Sequence, residues 1–130
     1  MSIGNRPGLN AAGLTLLAAV LRFFKLGEWS LWIDEGNTLW LTEHLSGKRP
    51  TDAYPLFFWL ERLMVEMAGT SEFALRLMPA LLGVATVPLS YLLFRKPAGE
   101  RAAFWGALLL ALSPWHLFWS QNARYYTLLM

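Results

Sequence analysis

Hydrophobic positions along this chain gather into three long runs, separated by one long and one short polar interruption. Residues 9–24 are apolar except for Asn10, Thr15 and Arg22, residues 77–94 carry no charge, and residues 102–119 form the third run. A bilayer core takes about 20 mostly apolar residues, with about 17 as the lower limit. The first run therefore spans over 9–26 only if Arg22 and Lys25 snorkel to one interface. The second spans over 73–94, with Pro79 and Pro88 tolerated because neighbouring helices and hydroxyls can satisfy the freed carbonyls. The third spans over 102–119. The expected fold class is all-α, a polytopic membrane bundle of about three transmembrane helices. A cleaved signal peptide competes for the first run, but Leu21-Arg22-Phe23-Phe24 offers no small-residue cleavage site.

The long interruption, residues 27–71, alternates polar and aromatic positions and holds most of the acidic residues. A short helix is expected over 35–45, with Leu39, Trp40 and His44 on its apolar side. A second helix opens at Pro55, where a missing N–H costs nothing, and places Phe57, Leu60, Met64 and Met67 on one stripe, with Glu61, Arg62 and Glu66 off it. That helix is expected to lie in the membrane interface. Trp29 and Trp32 run into Asp34 and Glu35, and since Trp favours the boundary between lipid and water, these carboxylates are expected at a membrane surface.

Composition sharpens this picture: 55% of the 130 residues are hydrophobic and the mean hydropathy is +0.36, against roughly 45–50% apolar content in soluble domains. There is no cysteine, so no disulfide and no thiol chemistry. The net charge of +2, without a basic stripe, argues against nucleic acid as a partner. Arg95, Lys96 and Arg101 crowd the short connection while the long loop is net acidic. The positive-inside rule then puts the N-terminus and that connection in the cytoplasm, and residues 28–71 outside it. The polar cluster of residues 121–126 falls on the same outer side as the acidic loop. No metal site is visible by spacing around His44 or His116. The chain reads as one unit, 1–130, and its end just after this cluster reads as a truncation.

The ordered set Leu21-Arg22-Phe23, Trp32-x-Asp34-Glu35, Tyr54-Pro55-Leu56-Phe57-Phe58, Gly69-x-Ser71-Glu72-x-Ala74-Leu75-Arg76 and Ser113-Pro114-Trp115-His116-x-x-Trp119-Ser120-Gln121-x-Ala123-Arg124-Tyr125-Tyr126 closely resembles the N-terminal region of GT-C membrane glycosyltransferases. Within them it looks most like the protein mannosyltransferase and lipid A aminoarabinose transferase branch. The resemblance implies a multi-pass protein of the cell membrane. It implies transfer of a hexosyl or pentosyl group from a polyprenyl-phosphate-linked sugar donor to a protein, lipid or glycan acceptor on the extracytoplasmic face. It places the catalytic carboxylate at Asp34, with Glu35 as the second acidic member. Arg124 and Arg22 become candidates for the donor phosphate, and Asp52, Tyr54, Gln121 and Tyr125 for the acceptor or pocket. No cofactor is fixed by the pattern, and a divalent metal is left open. Two departures stand out: a histidine and a proline that the family often carries before Pro55 are absent, and Asn122 replaces an acidic residue. Such enzymes are several times longer, so the 130 residues alone are expected to be inactive. A membrane scaffold without turnover and a transporter fragment are the rival readings. Asp34 as a helix N-cap is the bland reading of that residue.

Overall fold

The computed structural model describes residues 6–44 and 55–129. Among them are seven helices: α1 (Pro7–Phe23), α2 (Ile33–Glu43), α3 (Pro55–Ala68), α4 (Glu72–Phe94), α5 (Glu100–Leu112), α6 (Pro114–Ser120) and α7 (Tyr126–Leu129). Pro7 begins α1 where its missing N–H is harmless, and Lys25 at φ 58° turns the chain away after Phe23. Ser71 caps α4 by accepting from the Ala74 N–H at 3.2 Å, and Glu72 in the first turn suits the helix dipole.

The core is a three-helix packing in which Leu14 and Ala18 of α1, Val87 and Tyr91 of α4, and Ala103, Ala107 and Ala111 of α5 are buried together. Alanine at every fourth position of α5 keeps the helix axes close, as it does between helices in lipid. Gly83 brings α4 against α6: a Cβ there would lie 2.1 Å from the Ser120 hydroxyl oxygen. On the outer sides, Leu16, Val20, Leu81, Leu89, Leu93, Trp105 and Leu109 are exposed.

Among the described residues, α4 is the one helix both long and apolar enough to cross a membrane, with 23 residues. The α1 helix, at 17 residues, is shorter than the expected 9–26 span. The third run is not one helix over 102–119: α5 and α6 are bent by 58°. Pro114 has no N–H to continue the ladder, and Ser113 leaves the helix and accepts from the His116 N–H at 3.4 Å. Only the two taken together are long and apolar enough to cross a membrane. Of the three expected spans, α4 is thus a candidate crossing by length and composition on its own, and α5 with α6 a second if the bent pair is a single crossing.

Two amphipathic expectations are also corrected. The buried side of α2 is Glu35, Thr38 and Thr42, while Trp40 is exposed. The threonines can line a packed face because their hydroxyls bond backward along the helix, Thr38 Oγ1 to the Asp34 carbonyl at 3.1 Å and Thr42 Oγ1 to the Thr38 carbonyl at 2.7 Å. On α3 the buried side is Phe57, Phe58 and Glu61, whereas Met67 is 72% exposed. Packing of α3 between α2 and α4 selects that side, against the polarity of Glu61.

Candidate active site

The site grows from the first turn of α2. Trp32 occupies the N-cap, Asp34 the second helical position and Glu35 the third. Asp34 is therefore not the N-cap, and the capping role falls to Glu35, whose Oε2 accepts from the Trp32 N–H at 3.4 Å.

Glu35 is fully buried, and its carboxylate is held by Arg76 of α4 in a two-pronged pair, Nε to Oε1 at 2.8 Å and Nη2 to Oε2 at 2.7 Å. Arg76 also donates from Nη1 to the Leu26 and Trp29 carbonyls at 3.1 and 2.8 Å, and from Nη2 to the Ser30 carbonyl at 3.3 Å. A guanidinium has five N–H groups, and these contacts use all of them. The Oε1 of Glu35 accepts a further bond from the Ala123 N–H at 2.9 Å. One ion pair thus joins the loop after α1, the start of α2, the N-terminal part of α4 and the segment carrying Arg124. Arg76, the last residue of the Gly69-x-Ser71-Glu72-x-Ala74-Leu75-Arg76 stretch, is 5% exposed and sits at the centre of this tie.

Around the tie, Trp32 Nε1 donates to Asn122 Oδ1 at 2.9 Å. The asparagine that replaces the family's acidic residue therefore holds the tryptophan beside Asp34. The Arg124 guanidinium donates from Nη1 to the Asp34 carbonyl at 3.3 Å and lies over the rings of Tyr125 and Tyr126, 5.1 and 5.9 Å from their centroids. Its Nε is buried with no hydrogen-bond partner among the described residues. The Asp34 carboxylate is half-buried, and its charge acts on Tyr126. The Tyr126 phenol sits below its ordinary range, first through its hydrogen bond with Tyr125 and then through Arg124, with burial and Asp34 opposing. Asp34, Arg124, Tyr125 and Tyr126 share one face.

Other expected site residues lie elsewhere. Arg22 is fully buried in the bundle, donating from Nη1 to the Ala18 and Ala111 carbonyls at 3.3 and 3.4 Å and from Nη2 to His116 Nδ1 at 2.8 Å. Arginine only donates, so His116 is neutral with its proton on Nε2. The Arg22 guanidinium thus braces the break between α5 and α6, closed to solvent, and its Nε is buried with no hydrogen-bond partner among the described residues. Gln121 Nε2 donates to the Leu21, Arg22 and Phe24 carbonyls at 3.3, 3.2 and 3.0 Å and so closes the end of α1. Asp52 and Tyr54 fall outside the described residues. No group of three or more His, Asp or Glu able to hold a metal occurs among the described residues. A cleft of about 530 Å³ opens beside Trp32, walled by Leu21, Phe24, Trp29 and Phe118 with Lys25 and Gln121 at its polar side; neither Asp34 nor Arg124 lines it.

A protein of Aquifex aeolicus (strain VF5), itself uncharacterized, is 31% identical over 119 residues, covering 82% of this chain and 23% of that protein. The chain thus spans about a quarter of the length of the relative it matches. No solved structure matches. Residues 48–130 match the family described as dolichyl-phosphate-mannose-protein mannosyltransferase, and the chain belongs to that family.

Proposed function

We propose that this chain is the N-terminal part of a GT-C membrane glycosyltransferase that moves a sugar from a polyprenyl-phosphate carrier to an acceptor hydroxyl on the extracytoplasmic face. The observation that carries the reading is the meeting of Asp34 and Arg124, 90 residues apart, at one half-buried face. The apolar exterior of α1, α4 and α5 supports immersion in lipid as a polytopic bundle.

The chemistry asks for two groups. As the acceptor oxygen bonds to the anomeric carbon and the carbon–oxygen bond to phosphate breaks, the acceptor proton needs a base and the departing phosphate needs a cation. Asp34 is the base, a contribution typically worth roughly 10²–10⁴-fold. Arg124 is the cation, its planar fork suited to two phosphate oxygens. Glu35 holds the site together rather than accepting the proton, because its oxygens already take four N–H donors. Tyr125 forms part of the acceptor wall, with Asp52 and Tyr54 proposed from the resemblance.

The test is Asp34→Asn in a complete protein carrying this segment. Since Asp34 does not cap α2, the variant should fold normally and bind donor, while turnover drops on the order of 10²-fold or more, about 3 kcal/mol of barrier. Arg124→Lys should instead weaken donor binding, a point charge replacing a fork. Turnover near the native level in a well-folded Asn variant removes Asp34 from the chemistry.

A further inference from the structure

Two carboxylates are fully buried among the described residues, Glu35 and Glu61, and their surroundings are opposite. Glu35 takes four N–H donors, whereas neither oxygen of Glu61 has a hydrogen-bond partner among the described residues. The threonines on the α2 face that packs toward α3 cannot help, because both hydroxyl protons go to backbone carbonyls. One turn before Glu61, Phe57 meets the Tyr125 ring edge-on at 6.4 Å, and Tyr125 lies 4.5 Å from Tyr126 beneath Arg124. The α3 helix thus covers the aromatic wall of the candidate site with the same face that buries Glu61.

We propose that Glu61 is a proton-operated latch: as a neutral acid it lets α3 dock on α2 and α4, and as a carboxylate it drives α3 off that face and uncovers the Tyr125 wall. A neutral carboxyl can be buried without a counter-ion, while an ionised one cannot. Among the described residues the charges around it offer no counter-ion. On α2, Glu35 is the group whose charge acts on Glu61, and it is negative; Asp34 and Glu43 carry the same sign. On α4, Arg76 has no N–H left to give, and Glu72 is acidic. At the chain end Arg124 is bonded to the Asp34 carbonyl and stacked on Tyr125 and Tyr126, and on α3 itself Arg62 pairs with Glu66 at 2.8 Å. Burial first, and the Glu35 charge second, push the docked carboxyl from the ordinary 4.5 up to about 8.

The sign of the effect follows. Released, the carboxyl is solvated and ionises near its ordinary value; docked, it keeps its proton to about pH 8. Docking is therefore fully favoured below about 4.5, loses about tenfold in equilibrium constant per pH unit between the two values, and is constant above about 8. The latch is independent of the transferase reading, since no substrate enters it.

Hydrogen exchange of the α3 amides, measured on the full protein in nanodiscs from pH 5.5 to 9 and corrected for intrinsic rates, reads this directly. Protection of α3 should fall about tenfold per pH unit and level off near pH 8, while α4 amides stay constant. Glu61→Gln, and Glu61→Met as a second neutral variant, should make the α3 profile flat. Protection in the native protein that does not change with pH, a fall shared by α4, or a neutral variant that keeps the slope would each overturn the latch.

Discussion

Replacing Arg76 by Met tests how much of this architecture hangs on one guanidinium. The substitution keeps much of the side-chain length while removing all five donors. Glu35 stays buried with two remaining N–H contacts, Ala123 at 2.9 Å and Trp32 at 3.4 Å. Breaking one partner of a buried ion pair costs about 3–5 kcal/mol, because the survivor keeps its desolvation penalty. The Leu26, Trp29 and Ser30 carbonyls lose donors as well; water can substitute at the part-buried Trp29 and Ser30 contacts but not at the buried Leu26, so together they add about 2 kcal/mol. A total near 6 kcal/mol is a large share of the roughly 5–15 kcal/mol that holds a typical domain folded. Thermal unfolding in detergent, followed by tryptophan fluorescence, measures it as a lowered Tm. The sharper assay is the double-mutant cycle with Glu35→Gln: each single change strands a buried partner, so the double variant should be more stable than the sum of the two losses, with a coupling of about 3 kcal/mol. Additive losses, or a cost below about 1 kcal/mol for Arg76→Met alone, would show that the pair is a bystander.

Gly83→Ala should destabilise by about 1–3 kcal/mol through overpacking against Ser120; Ser120→Gly in the same chain should restore most of the lost Tm, and failure to do so would place the clash elsewhere. Trp32→Phe removes the bond to Asn122 Oδ1 and should cost about 1 kcal/mol, with a larger loss of turnover than of stability if Trp32 orders the Asp34 side of the site. The chain has no cysteine, so single cysteines report topology: one at Gly47 should react with an impermeant reagent in intact cells and one at Ala98 should be protected. The reverse pattern would invert the proposed orientation and take the extracytoplasmic active site with it.

How far the sequence could be read depended on the distance over which each feature is decided. The α4 boundaries are local, set by Ser71, Glu72 and an uncharged run, and the expected 73–94 differs from Glu72–Phe94 by one residue. The break at Pro114 is equally local, yet a hydropathy window over 102–119 smooths it away. The faces of α2 and α3 are not legible from polarity, because a polar side chain on a short helix need not be exposed. Thr38, Thr42 and Glu61 are buried by packing onto neighbours, and no periodicity within an 11- or 14-residue helix records that. The roles of Arg76 and Arg22 were the least legible. Both stand near helix ends, the usual place for a snorkelling cation, and what distinguishes them are partners 41 and 94 positions away in sequence. The proximity of Asp34 to Arg124 was expected only as a shared side of the membrane, and the hydrogen bond between their segments is finer than loop charges can resolve.

The closure of α1 by Gln121 has a bearing on biosynthesis. The three carbonyls at the end of the first helix are capped by a side chain 97 to 100 residues further along. A ribosome adding about 5–20 residues per second delivers that cap on the order of ten seconds after the helix itself. During that interval the loop bearing Asp34 has a frayed anchor on one side and no Ala123 to hold Glu35 on the other. The nascent chain therefore carries its first apolar helix long before it carries a finished site, and the loop after α1 stays open to chaperones and proteases until residues 121–123 arrive.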